Sequence, residues 1–441
     1  MSLTYKHLIL RSSHFPGTLH RIASDSDRLL RHSFIVFFFT HAASAANMLF
    51  QMVMGWNLSK AEFGVLSSML GLMMVIVGPM TAISNTLMHY TANLLQEGRT
   101  GSIRFLVRLW LNRILLISLP LLFLAIIFRN PLASFFHLSG PWPVILIGIA
   151  FFASAFSPVF SGVLQGMQKF TLVGLPSLAT GLVRLLIGGV LVLCVAPLAP
   201  SGLAAHALAA LAGTALVFCF YRTQNPSPPP GNERPLSAEY SDSYFWATLA
   251  ALLCYSILMN MDVVLVKHYF SNQDTAGGYA RASMIGKTLI FLAQPIAGAM
   301  FPKVVSRGHM AGEHAFTFFK AIMLSALIVA GGALFCTLFP QVPILILFRD
   351  NAPTPEMIAL VRFICWAMAP LGLVFILMNF ELAQHRMACV VPLAICAAGF
   401  IGGVVLFHGS LWQVVSVLLA ASMASLAALI IISFRSFRYD I

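Results

Sequence analysis

The sequence predicts an all-α membrane protein, with about twelve transmembrane helices gathered into two six-helix bundles. Three observations predict it. The 441 residues are 59% hydrophobic and only 9% charged, against about 25% charged in a soluble domain. Apolar runs long enough to cross a hydrocarbon core of about 30 Å recur along the whole chain. Landmarks of the first half also return in the second at a nearly constant offset. This composition excludes a soluble enzyme, a disordered chain, a fibrous repeat and a disulfide scaffold.

The elements follow in order. Residues 1–32 are polar and basic, with neither an apolar core nor a small-residue cleavage site, so they read as a cytoplasmic segment and not a cleaved signal peptide. Apolar runs then fall at about 33–55, 64–88, 114–128, 141–164, 172–195 and 202–221. A second set falls at about 245–268, 282–302, 319–339, 357–380, 388–407 and 411–434. Each run must be helical, because in lipid the backbone has to satisfy its own hydrogen bonds. The third run is short. The basic stretch before it, 89–113, reads as an amphipathic helix on the inner leaflet. Residues 222–244 contain PSPPPGNERP, a stiff extended linker. They separate a bundle at 33–221 from a bundle at 245–434, and 435–441 form a cytoplasmic tail.

The formal charge is +12. In a soluble protein that would suggest nucleic acid, but here the basic residues sit in the connections, and no nucleic-acid partner is expected. With the N-terminus inside, 18 of the 26 Lys and Arg fall in inner segments and five in outer ones: Lys60, Arg129, Lys267, Arg281 and Arg349. The remaining three, Arg184, Lys287 and Arg362, fall within runs. This bias predicts a multi-pass protein of the cell membrane with both termini in the cytoplasm. The seven cysteines all lie in apolar runs with no CxxC pair, which suits small buried residues better than metal ligands or disulfides.

The halves share landmarks. Pro79 and Pro295 are late in the second and eighth runs and stand 216 residues apart. Lys169 and Arg386 close the fourth and tenth runs, 217 apart. The repeat predicts two bundles related by an axis along the membrane normal.

The stretch NMLFQMVMGWNLSKAEFGVLSSMLGLM (47–73), with its Glu62-Phe63-Gly64, resembles the first two helices of polysaccharide and O-antigen flippases. These are a branch of the multidrug/oligosaccharidyl-lipid/polysaccharide exporter superfamily. Residues 259–305 resemble that family's seventh and eighth helices, with Asp262, Tyr279 and Phe301-Pro302 in place, and 161–170 is similar to the end of its fourth. The resemblance implies a V-shaped flippase fold in the inner membrane. It implies transport of a polyprenyl-pyrophosphate-linked oligosaccharide, a polysaccharide or O-antigen repeat unit, by alternating access. Implied partners are that lipid-linked substrate, membrane lipids, a glycan polymerase and glycosyltransferases.

Such a head group is anionic and hydroxylated, so cations and polar stripes inside the runs are the candidates for substrate binding. Arg184 lies near the middle of the fifth run, below Ser177 and Thr180 on one helical face. A cation there costs about 2.5–3.5 kcal/mol to insert and needs a cavity or a partner. It would hold a phosphate through two parallel hydrogen bonds, or else serve a structural contact. Lys287 is a second candidate, and Arg281, read with Lys267 as lying at the outer edge, is a third. Thr40, Ser44, Asn47 and Gln51 make one polar stripe on the first run. The stripe suits a sugar-lined cavity or ordinary interhelical bonding. Asp262 is read as an ion-coupling residue, or as a counter-ion to Arg184 or Lys287. Gly64, Gly71 and Gly78 read as a helix-packing stripe.

Walker A, HExxH, GxSxG and CxxC sequences are absent, so no cofactor, metal or catalytic residue is expected. Two readings compete with the flippase. One is a cation-coupled multidrug or small-metabolite antiporter of the same superfamily, disfavoured by the lack of a carboxylate in the first run. The other is a membrane enzyme, for which the short outer connections give poor scaffolding.

Overall fold

A computed structural model of the chain describes residues 38–224, 242–305, 311–384 and 386–439. Among them the first half comprises α1 (38–57), α2 (Lys60–Val77), α3 (Thr81–Gln96), α4 (Thr100–Ile127), the short α5 (Arg129–Phe135), α6 (Trp142–Ala155), α7 (Ser157–Gly166), α8 (Phe170–Val190) and α9 (Ala199–Thr223). The second half comprises α10 (Asp242–Tyr269), α11 (Gln273–Val305), α12 (Ala311–Leu338), the short α13 (Gln341–Phe348), α14 (Pro355–Ala383), α15 (Val390–Leu406) and α16 (Leu411–Tyr439). Eight segments are long and apolar enough to cross a membrane alone, and the bent pair α12–α13 makes a ninth. α1, the charged α11 and the 17-residue α15 complete a plan of twelve.

Local sequence explains the breaks. Pro79 cannot donate to the helix ladder, and the second span there passes through a 3-10 turn, Gly78–Met80, between α2 and α3. Ser59 opens α2 by accepting the Glu62 N–H, and Thr354 opens α14 ahead of Pro355 in the same way. Both helices carry a glutamate in the first turn, where the helix dipole favours it.

The two halves repeat one packing scheme. In the first, the second span packs on the third, fourth and sixth, and the fifth on the sixth. In the second half, the eighth span packs on the ninth and tenth, the tenth on the twelfth, and the eleventh on the twelfth. The fourth span packs on the sixth just as the tenth packs on the twelfth, and the first meets the fifth as the seventh meets the eleventh. Pro79 and Pro295 therefore lie on equivalent spans. The halves join mainly where α2 packs on α10 and α11. The glycine stripe of α2 makes that contact: Gly64 lies against Gly277, Gly71 against Val263 and Gly78 against Ser256. Small residues let helix backbones approach where lipid gives no hydrophobic drive.

Two sequence expectations are corrected. Residues 89–113 do not form a separate surface helix. They are the end of α3, a tight connection at 97–99 and the start of α4. Ile103, Leu106, Val107 and Trp110 make one buried stripe that docks this basic segment on the bundle. The eighth span also begins at Gln273, nine residues before the expected start at 282. Its first turns hold Asp274 and Arg281, which depress hydropathy; Asp274 is exposed at the helix start, while Arg281 is enclosed by protein. Below, the end bearing the connections 58–59, 196–198 and 270–272 is the hairpin end, and the end bearing 97–99 and 167–169 is the linker end.

Candidate functional site

The first half builds its polar centre from α1 and α8. Gly181 and Gly188 face α1 so closely that a methyl on Gly181 would meet Ala46 at 3.1 Å, and one on Gly188 would meet Phe50 at 2.6 Å. This contact fixes the register and brings Arg184 Nη1 to 2.7 Å from Asn47 Oδ1. At 1.5 Å per residue, Arg184 stands about 16 Å from the hairpin end of its span, the middle of a bilayer of about 30 Å. Asn47 is neutral, and no acidic side chain among the described residues lies within ion-pair distance of Arg184. Arg184 Nε is buried without a hydrogen-bond partner, so the guanidinium keeps donors unspent. Ser177 and Thr180 instead donate their hydroxyls to Val173 O and Pro176 O of their own helix.

α1 shows three faces. Ala43, Ala46, Phe50 and Met54 are buried, while Phe38 and Leu49 are exposed. The stripe of Thr40, Ser44, Asn47 and Gln51 occupies the third face, with Asn47 and Gln51 half-buried and Ser44 exposed.

The second half builds a different centre. Asp262 on α10 is fully buried and lies 3.1 Å from Lys287 Nζ on α11, while Ser283 Oγ donates to the other carboxylate oxygen at 2.5 Å. The buried Tyr279 lies beside the same carboxylate. The counter-ion of Asp262 is thus Lys287, and Arg184 belongs to the other half. Lys287 lies 14 residues from the start of α11, about 21 Å, too deep for its ammonium to reach water along the helix. A pair this enclosed repays its desolvation only through close geometry and added hydrogen bonds, which Ser283 helps supply.

The hairpin end is closed by contacts across the halves. Arg281 stands at this end, as expected, but is buried: its Nη2 donates to Leu58 O at 3.0 Å, and its guanidinium lies over Phe63 and Phe348 at 5.9 and 5.1 Å. Trp56 Nε1 donates to Ile346 O at 2.9 Å, and Arg349 covers the Trp56 ring at 4.1 Å. His268 of α10 stacks on Phe135 of α5, and Gln273 donates to His137 O. Lys267, expected at the edge as well, is buried and bonded to Gln273. Glu62 reaches the start of α9, where Ala199 N donates to its carboxylate at 2.6 Å.

No protein-family model matches the chain, and no curated protein sequence matches it. Solved structures do. The lipid II flippase MurJ in its inward closed conformation is similar over 93% of this chain and 90% of its own, with a TM-score of 0.67 and 12% identity. The MATE multidrug transporter DinF-BH is similar over 92% and 95%, with a TM-score of 0.69 and 13% identity. A MOP superfamily transporter from Pyrococcus furiosus is similar over 93% and 94%, with a TM-score of 0.64 and 12% identity. The chain has the fold of these transporters.

Within this fold the candidate residues separate. Arg184 and Asn47 come together in the first half, with Ser44 and Gln51 on the same stripe as Asn47. Asp262 and Lys287 come together in the second half, and Arg281 sits in the closed end. Two buried ionisable groups escaped the sequence reading. His206 lies on α9, and Glu381 on α14 accepts from Ser433 at 2.8 Å near the linker end. An ionisable residue in an apolar run was the available signal, overlooked because His206 sits among alanines and Glu381 just past the expected boundary.

Proposed function

We propose that this protein is a flippase for a polyprenyl-pyrophosphate-linked oligosaccharide, with the pyrophosphate held at Arg184 and the sugars along the Asn47 stripe. One observation carries the reading. At mid-depth the first half offers a cation with no acid to neutralise it, while the deep carboxylate of the second half is already held by Lys287. Such an interior attracts an anion. It gives a cationic drug no free carboxylate at Asp262, which weighs against the multidrug antiporter. Lys287, neutralised by Asp262, is a lesser anion ligand than Arg184. The linker end is assigned to the cytoplasm by the distribution of basic residues, and the cell membrane is the site of action. Glycosyltransferases would supply the substrate and a glycan polymerase would receive it.

Transport by alternating access requires the hairpin-end contacts to break while those at the linker end form. The test is Arg184→Ala. Losing a hydrogen bond to a charged group removes about 1.5–3 kcal/mol, so export should fall about 10- to 100-fold, with lipid-linked oligosaccharide accumulating on the inner leaflet at unchanged protein level. Arg184→Lys should rescue it only in part, because a point charge lacks the planar fork. Normal export by the Ala variant would overturn the assignment.

A further inference from the structure

His206 is a buried ionisable side chain of the first half that this reading leaves without work. It is 2% exposed, one turn from Gly202 and two turns from Gly213 on the same face of α9. A methyl on Gly202 would meet Met54 of α1 and Leu66 of α2, and Gly213 lies against Thr180 of α8. His206 therefore faces the junction of α1, α2 and α8. The helices α8 and α9 run antiparallel with Thr180 beside Gly213, so Arg184, one turn further on, draws toward the level of His206. The imidazole Nδ1 is buried and has no hydrogen-bond partner.

Resting on the assignment of the pyrophosphate to Arg184, we propose that His206 is the proton-binding member of the same anion site, so that head group and proton bind together. The argument is one of charge. Arginine stays protonated in proteins. A second cation beside it, with no counter-ion, would be stranded in low dielectric, so the imidazole is neutral while the site is empty. A pyrophosphate diester brings two negative charges. Arg184 offsets one, and an imidazolium at His206 offsets the other and gives its buried nitrogen a partner. The imidazole lone pair takes the proton from a hydronium ion of the solvent, forming an N–H bond and releasing water, with no change of oxidation state. The other elements packed on α9 add little charge: α6 and α7 carry no ionisable side chain, and α1 carries His41 beside its neutral stripe. α2 brings Lys60 and Glu62 at the hairpin end, where Glu62 is bonded to Ala199 N. Histidine is the side chain whose ordinary pKa, about 6.5, suits such coupling near neutral pH.

The test is calorimetry on the full chain in lipid nanodiscs, titrated with geranyl-pyrophosphate-linked N-acetylglucosamine. That probe is a pyrophosphate diester with no proton of its own to exchange near neutral pH. Comparing buffers of different ionisation enthalpy counts the protons taken up. The wild type should take up about one proton on binding, and its affinity should fall as pH rises, approaching about tenfold per unit by linkage. His206→Asn should still bind, about tenfold more weakly at pH 6, with no uptake and a flat pH profile. Wild-type binding without proton uptake overturns the proposal, as does undiminished uptake by the Asn variant. Absence of wild-type binding overturns instead the placement of pyrophosphate at Arg184, and this proposal with it.

Discussion

Asp262 and Lys287 show how a buried residue is defined by its partner. Each is expensive in low dielectric, and together they form a neutral unit closed by Ser283. Asp262→Asn alone should strand the ammonium and destabilise the protein by about 3–5 kcal/mol, and Lys287→Met alone should strand the carboxylate at similar cost. The double variant should recover most of that loss in detergent-solubilised thermal unfolding. Losses that simply add would show that the pair is not coupled. The sequence named both residues and offered their pairing among alternatives. It could not choose between Lys287 and Arg184, because helix depth and facing are set by packing. Likewise Arg184 and Asn47 were separate candidates, and only the α1–α8 contact joined residues 137 positions apart.

At the scale of elements, the hairpin end depends on α1, α2, the start of α11 and α13, which approach because Gly277 leaves room for the Lys60 carbonyl. Any side chain at Gly277 would push them apart. Arg281 ties the group through one hydrogen bond and two aromatic faces, each cation–π contact worth about 0.5–1 kcal/mol or more when desolvated. Arg281→Ala should raise several-fold the maleimide labelling of a single cysteine at Leu58, a buried position, in a cysteine-free background. Unchanged labelling would show that Arg281 does not hold this end. Periodicity placed the twelve spans well but misjudged the start of α11. Hydropathy cannot distinguish charge facing lipid from charge enclosed by protein, and Arg281 is of the second kind.

Across the whole molecule, the repeat of packing matches the repeat of Pro79 with Pro295 and of Lys169 with Arg386. The proposed topology puts the linker end in the cytoplasm. Lys267 and Arg281 are buried but stand at the hairpin end, so the count of 18 basic residues against five is unchanged. A periplasmic reporter fused after Arg234 should be inactive, and one fused after Gln273 active. The reverse pattern would invert the protein in the membrane and with it the direction of transport.

The sequence by itself determined the membrane setting, the twelve-span plan and the two-fold repeat, because these follow from local hydropathy, charge counts and spacing. It also narrowed the site to a few ionisable and polar residues, since charge inside an apolar run is conspicuous whatever the fold. Tertiary structure alone decided which of them meet: Arg184 with Asn47 in one half, Asp262 with Lys287 in the other, Arg281 in the closed end. The physical reason is that a buried charge takes its character from groups a few ångströms away, and those groups lie on helices far apart in the chain.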